Sequence, residues 1–252
     1  MFTSDAVSYM LNSGRKIKAK CPQTLHVTCI VHGIHRIVEE VRNQFKDVDN
    51  FVDNVKKIFL KAASRVKIFK EMFLGVPLPP KSIITRWGTW IKAVCYFQYH
   101  YNEVRTVLES FDPRSSAAIR NFRELMDKPE LITDIIFVAN NFGMIPEIIH
   151  TLESSKVSVQ VTLKKLNELK TKIDAVPGDV GIRSPEKMAA VLQRNPDLKI
   201  VKCLKEKFGT EYYWYSDIPV DAFQLAPLTP VDCERFFSAH KYILDVKRNN
   251  YL

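Results

Sequence analysis

A run of side chains that can bind zinc occupies one short stretch of the chain. Its members are His26, Cys29, His32 and His35. Imidazole nitrogens and thiolates are ligands that Zn²⁺ takes in proteins, and they must converge on one point. Successive steps of three drift about 60° each around a helix, so the first and last ligands end on opposite sides. The spacing therefore favours packed structural cysteine and histidine, and a zinc site would require His26 to lie on a strand before the helix.

An arginine and two tryptophans lie together at a predicted loop-to-helix junction, in the string Thr85-Arg86-Trp87-Gly88-Thr89-Trp90. Large aromatic side chains at such a junction are typical of core anchors. In the functional alternative, one indole stacks on an unpaired base while the guanidinium of Arg86 holds a phosphate. The residue types alone leave both interpretations open.

Two acidic residues near opposite ends of the chain look ordinary when each is taken by itself. Asp5 precedes a predicted short helix through Tyr9 and Met10, which is the position of a helix N-cap. Glu234 lies at the border of the apolar face of a helix predicted to begin near Pro230. A border glutamate is typically a solvated or salt-bridged surface residue.

The composition is that of a globular protein with an excess of positive charge. The chain has 252 residues, a formal net charge of +9 and five cysteines at scattered spacings. The charge favours polyanionic partners, nucleic acid before membrane, and the cysteines favour reduced thiols. No apolar run reaches the roughly 18 residues of a membrane helix, and the acidic start does not fit a secretory signal. We therefore expect a soluble intracellular protein.

Apolar side chains recur at steps of three and four along most of the chain, which predicts a mainly helical protein. Helices are expected on both sides of a break near residues 47–50, and over residues 89–110, 131–152 and 157–173. Strand signals are few, at residues 25–29 and at 199–203, of which the second could instead extend a helix.

Prolines and glycines predict where helices begin and where the chain is interrupted. Asp112-Pro113, Ser184-Pro185 and Thr229-Pro230 each have the pattern of a helix N-cap followed by proline. Pro79-Pro80 ends a helical region, and residues 175–184 are the expected linker.

The order of the short motifs resembles the hAT superfamily of cut-and-paste DNA transposases and their domesticated relatives. The resemblance covers nearly the whole chain and is carried by five pieces in order: Ser4-Asp5-Ala6 with Tyr9-Met10, the Cys29/His32 segment, Phe59-Leu60-Lys61-Ala62, Pro79-Pro80 leading to the Thr85–Trp90 string, and Glu234-Arg235-Phe236-Phe237-Ser238. The subgroup with the T-R-W-G-T-W string is the most similar.

The resemblance implies a fold that is mainly α, with an incomplete RNase H-like α/β core interrupted by a large helical insertion. Residues 1–46 would form part of the core, with Asp5 ending a core strand. Residues 47–194 would form the insertion. Residues 195–252 would return to the core and begin the C-terminal dimerisation region, so a homo-oligomer is one expected state.

The resemblance also implies the chemistry of phosphoryl transfer between DNA strands. That chemistry uses two divalent metals held by carboxylates, and hard oxygen ligands suit Mg²⁺ or Mn²⁺. Asp5 matches the second of the family's three carboxylates and Glu234 the third. The first belongs to a strand upstream of Asp5, so we expect the chain to be catalytically inactive by itself.

The remaining implied residues are Arg86 and Trp87, which match the pair that supports a flipped-out base at a DNA hairpin. Cys29 and His32 match a family signature that we interpret as structural. DNA is the expected partner, no membrane is expected, and the expected location is the nucleus.

The alternative to a transposase-derived fragment is a nucleic-acid-binding or protein-interaction module that keeps only the basic surfaces of the helical insertion. The candidate cations are Lys56, Lys57, Lys61, Arg65, Lys67, Lys70, Lys164, Lys165, Lys170 and Lys172. A solvated helix face with scattered acids explains these residues equally well.

Overall fold

The computed structural model describes residues 1–83, 88–154 and 157–208 together with Leu228. Within that part the protein is mainly helical, as the periodicity predicts, and has one sheet of two strands. The elements are β1 (Phe2–Ser4), α1 (Ser8–Lys20), β2 (His26–Thr28), α2 (Ile30–Gln44), α3 (Lys46–Phe59), α4 (Ala63–Met72), α5 (Gly88–Glu109), a 3₁₀ turn (Pro113–Ser115), α6 (Ala117–Met126), α7 (Glu130–Phe142), α8 (Ile145–Leu152), α9 (Val159–Asp174), α10 (Val180–Gln193) and α11 (Pro196–Phe208).

The described residues divide into two compact units, and each is made of separate stretches of sequence. The first unit contains residues 1–34, 148–170 and 188–208, and the second contains residues 35–147 and 171–187. The first unit carries the sheet, and the second is helical. Domain boundaries at residues 46 and 194 stay a prediction.

The sheet of the first unit consists of two parallel strands that are connected by a helix. Ser4 lies opposite Thr28, and Phe2 lies opposite His26. Parallel strands need a crossover connection, and α1 supplies it. Gly14 is the buried residue of α1, and a Cβ there would lie 2.0 Å from Nδ1 of His26. A side chain at this position would therefore collide with the imidazole, and glycine allows the helix its close approach to β2.

The N-terminal region of α11 fastens this small sheet through two side chains. The Asn195 side chain accepts from the Thr28 N–H at 3.1 Å and donates to the Thr28 carbonyl at 2.9 Å. Asp197 accepts from the His26 N–H at 2.8 Å and from Lys18 Nζ at 2.7 Å. The backbone groups on the edge of β2 that faces away from β1 are thereby hydrogen-bonded to side chains instead of to another strand.

The second unit is a helical bundle around an aromatic core. Phe51 of α3 contacts Phe97 of α5 edge-on, with ring centroids 4.9 Å apart, and also contacts Phe122 of α6. The long helix α5 packs against α7. The prediction of a helix over residues 89–110 is confirmed, as is the Asp112 cap, whose carboxylate accepts from the Arg114 N–H.

Several boundaries predicted from the sequence are wrong for local physical reasons. The break expected at residues 47–50 lies at Phe45, and those residues belong to the first turn of α3. The helix expected over 131–152 is interrupted between α7 and α8, where Pro146 has no N–H to offer the Phe142 carbonyl.

Two further predictions fail in the C-terminal half of the described chain. The helix expected to begin at Ser184-Pro185 begins at Val180, so Pro185 lies inside α10. The turn before it depends on Gly178, whose φ of +73° favours glycine. Residues 199–203 lie in α11, so the strand interpretation is wrong and the helical alternative is confirmed.

The apolar segment Glu130–Leu152 is long and hydrophobic enough to cross a membrane by length and composition alone. It comprises the two helices α7 and α8. Ile135, Val138 and Phe142 of α7 are fully buried. Core helices pass the same test of length and composition, and we interpret α7 as a core helix of the second unit.

Replacing Asn195 by alanine tests whether the Asn195 side chain stabilises the sheet. Asn195→Ala removes two hydrogen bonds and leaves the buried N–H and carbonyl of Thr28 unpaired, so we expect a loss of about 2–4 kcal/mol in the free energy of unfolding. Urea unfolding followed by circular dichroism measures it.

Asn195→Asp keeps the acceptor but places a buried carboxylate against the Thr28 carbonyl, so it should destabilise the protein at least as much as Asn195→Ala. The control is Asn50→Ala on an exposed position of α3, expected to change stability by less than about 0.7 kcal/mol. Equal effects of Asn195→Ala and Asn50→Ala would contradict the stabilising role of the Asn195 side chain.

Candidate functional site

The residues that follow the two strands lie side by side because the strands are parallel. Asp5 follows β1 directly, and Cys29 follows β2. The Cys29 N–H donates to the Ser4 carbonyl at 2.8 Å, which extends the pairing to the last residue before Asp5. The interpretation of Asp5 as a helix N-cap is wrong, since the cap position of α1 is Val7 and no side chain caps it.

The closest described partner of Asp5 is an imidazole from the next helix. His32 lies in the first turn of α2, and its Nδ1 is 3.2 Å from Oδ1 of Asp5. Both side chains are about two-fifths exposed, at 43% and 42%. In the described part of the chain, Asp5 is therefore accessible to a ligand from solvent.

Cys29 and His32 are close in sequence but differ in environment. Cys29 is 4% exposed and belongs to the buried core of the first unit, whereas His32 reaches the surface beside Asp5. Buried cysteine generally behaves as a small apolar side chain. The structural role expected for the pair stays a prediction.

The strand that a zinc site would require is present, because His26 lies on β2 and His32 on α2. The His26 ring, however, is engaged elsewhere: its Nε2 is 2.7 Å from Oγ of Ser4. Within the described ranges, no three His, Cys, Asp or Glu side chains are grouped closely enough to hold a metal ion.

The surroundings of His26 form a polar cluster under the strand ends. Ser4 is 2% exposed, and its hydroxyl lies against the imidazole. Burial lowers the pKa of His26 from its ordinary value of 6.5, Asp197 opposes this shift and Lys18 adds to it. The neutral ring is thus favoured in the folded protein.

Three of the predicted site residues lie outside the described part of the chain: Arg86, Trp87 and Glu234. Trp90, from the same tryptophan-containing string, is described and is 1% exposed. Core anchoring is thus confirmed for that indole. Its neighbour Thr89 accepts a hydrogen bond from the Ile83 N–H at 2.7 Å and so fastens the loop before α5.

Several of the cations expected to form a basic surface on the insertion make local contacts instead. Lys56 donates to the Ser82 carbonyl at 2.7 Å, and Arg65 donates to the Ile58 carbonyl at 3.1 Å. Lys57 pairs with Asp53 at 2.8 Å. The ion pair of Lys57 reduces the charge available to a partner, whereas Lys56 and Arg65 keep their charge and fasten backbone carbonyls of the second unit.

Comparison with protein-family models, with curated proteins and with solved structures finds no match to the chain.

The arrangement can hold a divalent cation only weakly with the groups that are described. A half-exposed carboxylate offers hard oxygen ligands suited to Mg²⁺ or Mn²⁺, and Nδ1 of His32 lies 3.2 Å from it. A second carboxylate would be needed for a clamp of the kind that phosphoryl transfer uses.

The His26 cluster makes the stability of the protein depend on pH. Because the folded-state pKa is lowered, the unfolded chain takes up a proton first as the pH falls below 6.5. The stabilisation is complete above that value and is lost as the pH falls through the folded-state pKa. We expect the thermal midpoint of wild type to fall between pH 7 and pH 5.5, and to fall less in His26→Gln.

The control for this measurement is His150→Gln, at an exposed position of α8. It should keep the full wild-type decrease. The account of His26 is wrong if His26→Gln and His150→Gln show the same dependence on pH.

Proposed function

We propose that this chain is derived from a hAT-type DNA transposase and retains Asp5 and Glu234 as two carboxylates of a metal-dependent strand-transfer site. The observation that carries the proposal is the position of Asp5. It stands at the carboxyl end of a strand in a β–α–β unit, half-exposed, with His32 at 3.2 Å. A carboxylate at the end of a core strand is what the resemblance implies for the second metal ligand.

The path of the chain supports the pairing of Asp5 with Glu234. The Ile30 N–H lies 3.4 Å from the Leu228 carbonyl, so residue 228 reaches the segment that follows β2. Glu234 lies six residues after Leu228 in the sequence, and an extended chain of that length spans at most about 22 Å. Glu234 is thus within reach of the strand ends.

The composition of the first unit also supports an interrupted core. Asn195 and Asp197 bind a strand that lies more than 160 residues earlier in the sequence. The residues between them include the entire helical second unit. A small α/β core that is left and re-entered around a helical insertion is the organisation implied for an RNase H-like transposase core.

Mg²⁺ or Mn²⁺ would supply the electrophilic assistance to phosphoryl transfer in such a site. Asp5 and Glu234 would hold it through carboxylate oxygens, and Arg86 and Trp87 would bind an unpaired base. The family uses three carboxylates for the reaction, so we propose that Asp5 and Glu234 by themselves support DNA binding without cutting. The proposed location is the nucleus, and self-association is the proposed role of the last residues.

The alternative function is a domesticated nucleic-acid-binding module with no remaining role for a metal. The observation in its favour is the charge distribution, since most of the excess positive charge of the described residues lies in the first unit. This location differs from the basic surface that the sequence predicts on the helical insertion. It differs from the main proposal in predicting that Asp5 binds no metal ion.

A strand-cleavage assay tests the proposal. The full chain is incubated with a labelled DNA hairpin that has an unpaired base at its tip, in Mn²⁺ or Mg²⁺. We expect a complex in a gel-shift experiment and no nicked product after denaturation.

Two results would contradict this expectation. Metal-dependent nicking that is lost in Glu234→Ala would show that the chain is an active nuclease by itself. The absence of any complex with DNA at low ionic strength would rule out the proposed handling of DNA.

A further inference from the structure

One face of α1 carries an aromatic ring and two cations in a row. Tyr9, Ser13, Lys16 and Lys20 follow each other at steps of four, three and four, which places them on one side of a helix at 100° per residue. All four are exposed, and Tyr9 is 71% exposed. The opposite side carries the buried Gly14. The face formed by these four residues is called the α1 stripe below.

The charge of the stripe is not neutralised by the described residues around it. The sequence of α1 contains no acidic residue. Among the described residues, Asp197 is the acid that approaches α1. Both of its carboxylate oxygens accept from Lys18 Nζ at 2.7 Å, and one of them also accepts from the His26 N–H. Lys16 and Lys20 have no ion-pair partner among the described residues.

Several cations of the second unit, in contrast, form ion pairs. Lys57 pairs with Asp53, Arg105 with Glu109 and Lys128 with Asp47, at 2.7–2.8 Å. These pairs leave little local excess of charge. The α1 stripe differs from these pairs, because neither of its two lysines has an ion-pair partner among the described residues.

We propose that the α1 stripe binds DNA at an unpaired end, with Lys16 and Lys20 on backbone phosphates and Tyr9 stacked on an unpaired base. Lysine contacts to phosphate and base–aromatic stacking together are the usual means of binding single strands. Tyr9 and Lys20 are eleven residues apart, or about 17 Å along the helix axis, which matches about five nucleotides of one strand at duplex spacing. The stripe has no apolar face of the kind that enters a lipid interface.

The stripe also has a direction with respect to the candidate metal ligand. Tyr9 lies in the first turn of α1, four residues after Asp5, whereas Lys20 lies at the far end of the helix. A strand that follows the stripe would thus have its unpaired end beside Asp5 and its continuing backbone on the lysines. Because this role of α1 rests on the proposed function, its test measures binding in EDTA, whereas cleavage requires a metal.

The experiment measures the fluorescence anisotropy of a labelled single strand and of a blunt duplex of equal length, each titrated with the full chain at several KCl concentrations. We expect Lys16→Gln/Lys20→Gln to reduce the slope of log K against log[salt] by about 1.4 on the single strand and about 1.8 on the duplex. Tyr9→Ala should weaken single-strand binding by about five-fold or more and duplex binding by less than about two-fold.

Matched controls remove the same groups from exposed positions of the second unit. These are Lys46→Gln/Lys92→Gln for the charge and Tyr99→Ala for the ring. Neither control should change the salt slope or the preference for single strands. Thermal unfolding should be the same for all variants, because every replaced side chain is exposed.

The proposal is overturned if the control variants lose as much affinity as the α1 variants, or if Tyr9→Ala affects both DNAs equally. It is also overturned if Lys16→Gln/Lys20→Gln abolishes flotation with phosphatidylserine vesicles and leaves DNA binding intact. DNA binding that survives all α1 changes would end this inference and leave the proposed function standing.

Discussion

The position of Asp5 depends on the parallel pairing of two strands of only three residues each. Strands this short do not form a stable sheet by themselves. Asn195 and Asp197 hold the backbone of β2 from α11, and the close contact between Gly14 and His26 holds α1 against the same strand. The position of Asp5 in the candidate site therefore depends on contacts between the first 30 residues and a segment near residue 195.

This dependence has a consequence for folding and for function. Contacts over more than 160 residues require the intervening helices to be ordered or at least compact before the sheet closes. The second unit has its own aromatic core around Phe51 and can supply that order locally. The site, in contrast, combines the buried polar side chains of Ser4, Asn195 and Asp197 with the half-exposed side chains of Asp5 and His32. Rigid support under accessible ligands is the arrangement that a binding site needs.

The sequence predicts the regular helices well, but it does not predict the hydrogen bonds that Asn195 and Asp197 make with β2. The periodic apolar pattern of α5 and α9 and the Asp112 cap are sufficient to place those elements, because each signal is local. Asn195 and Asp197 leave no periodic signal, since a side chain that binds a distant backbone looks the same in sequence as a solvated one. Pro185 misleads for a related reason: proline at a helix start is common, but here α10 begins five residues earlier at a glycine-containing turn.

The candidate site is predicted only in part, for a different reason. The order of short motifs singles out Asp5, Cys29 and His32, and the parallel sheet explains why Asp5 and Cys29 follow neighbouring strands. The contact between His32 and Asp5 requires the helix to begin at Ile30, which no motif specifies. The roles of Arg86, Trp87 and Glu234 stay predictions from the resemblance.

The central claim, that Asp5 and Glu234 share a bound metal, is tested most directly by metal-directed cleavage of the protein itself. Fe²⁺ replaces Mg²⁺ in the full chain, ascorbate and peroxide are added, and the fragments are mapped by mass spectrometry. Radicals produced at a shared site would cut the backbone near residue 5 and near residue 234, and both cuts would disappear in Asp5→Asn and with excess Mg²⁺. Cutting that is unchanged in Asp5→Asn, or that never occurs near residue 234, would contradict the claim.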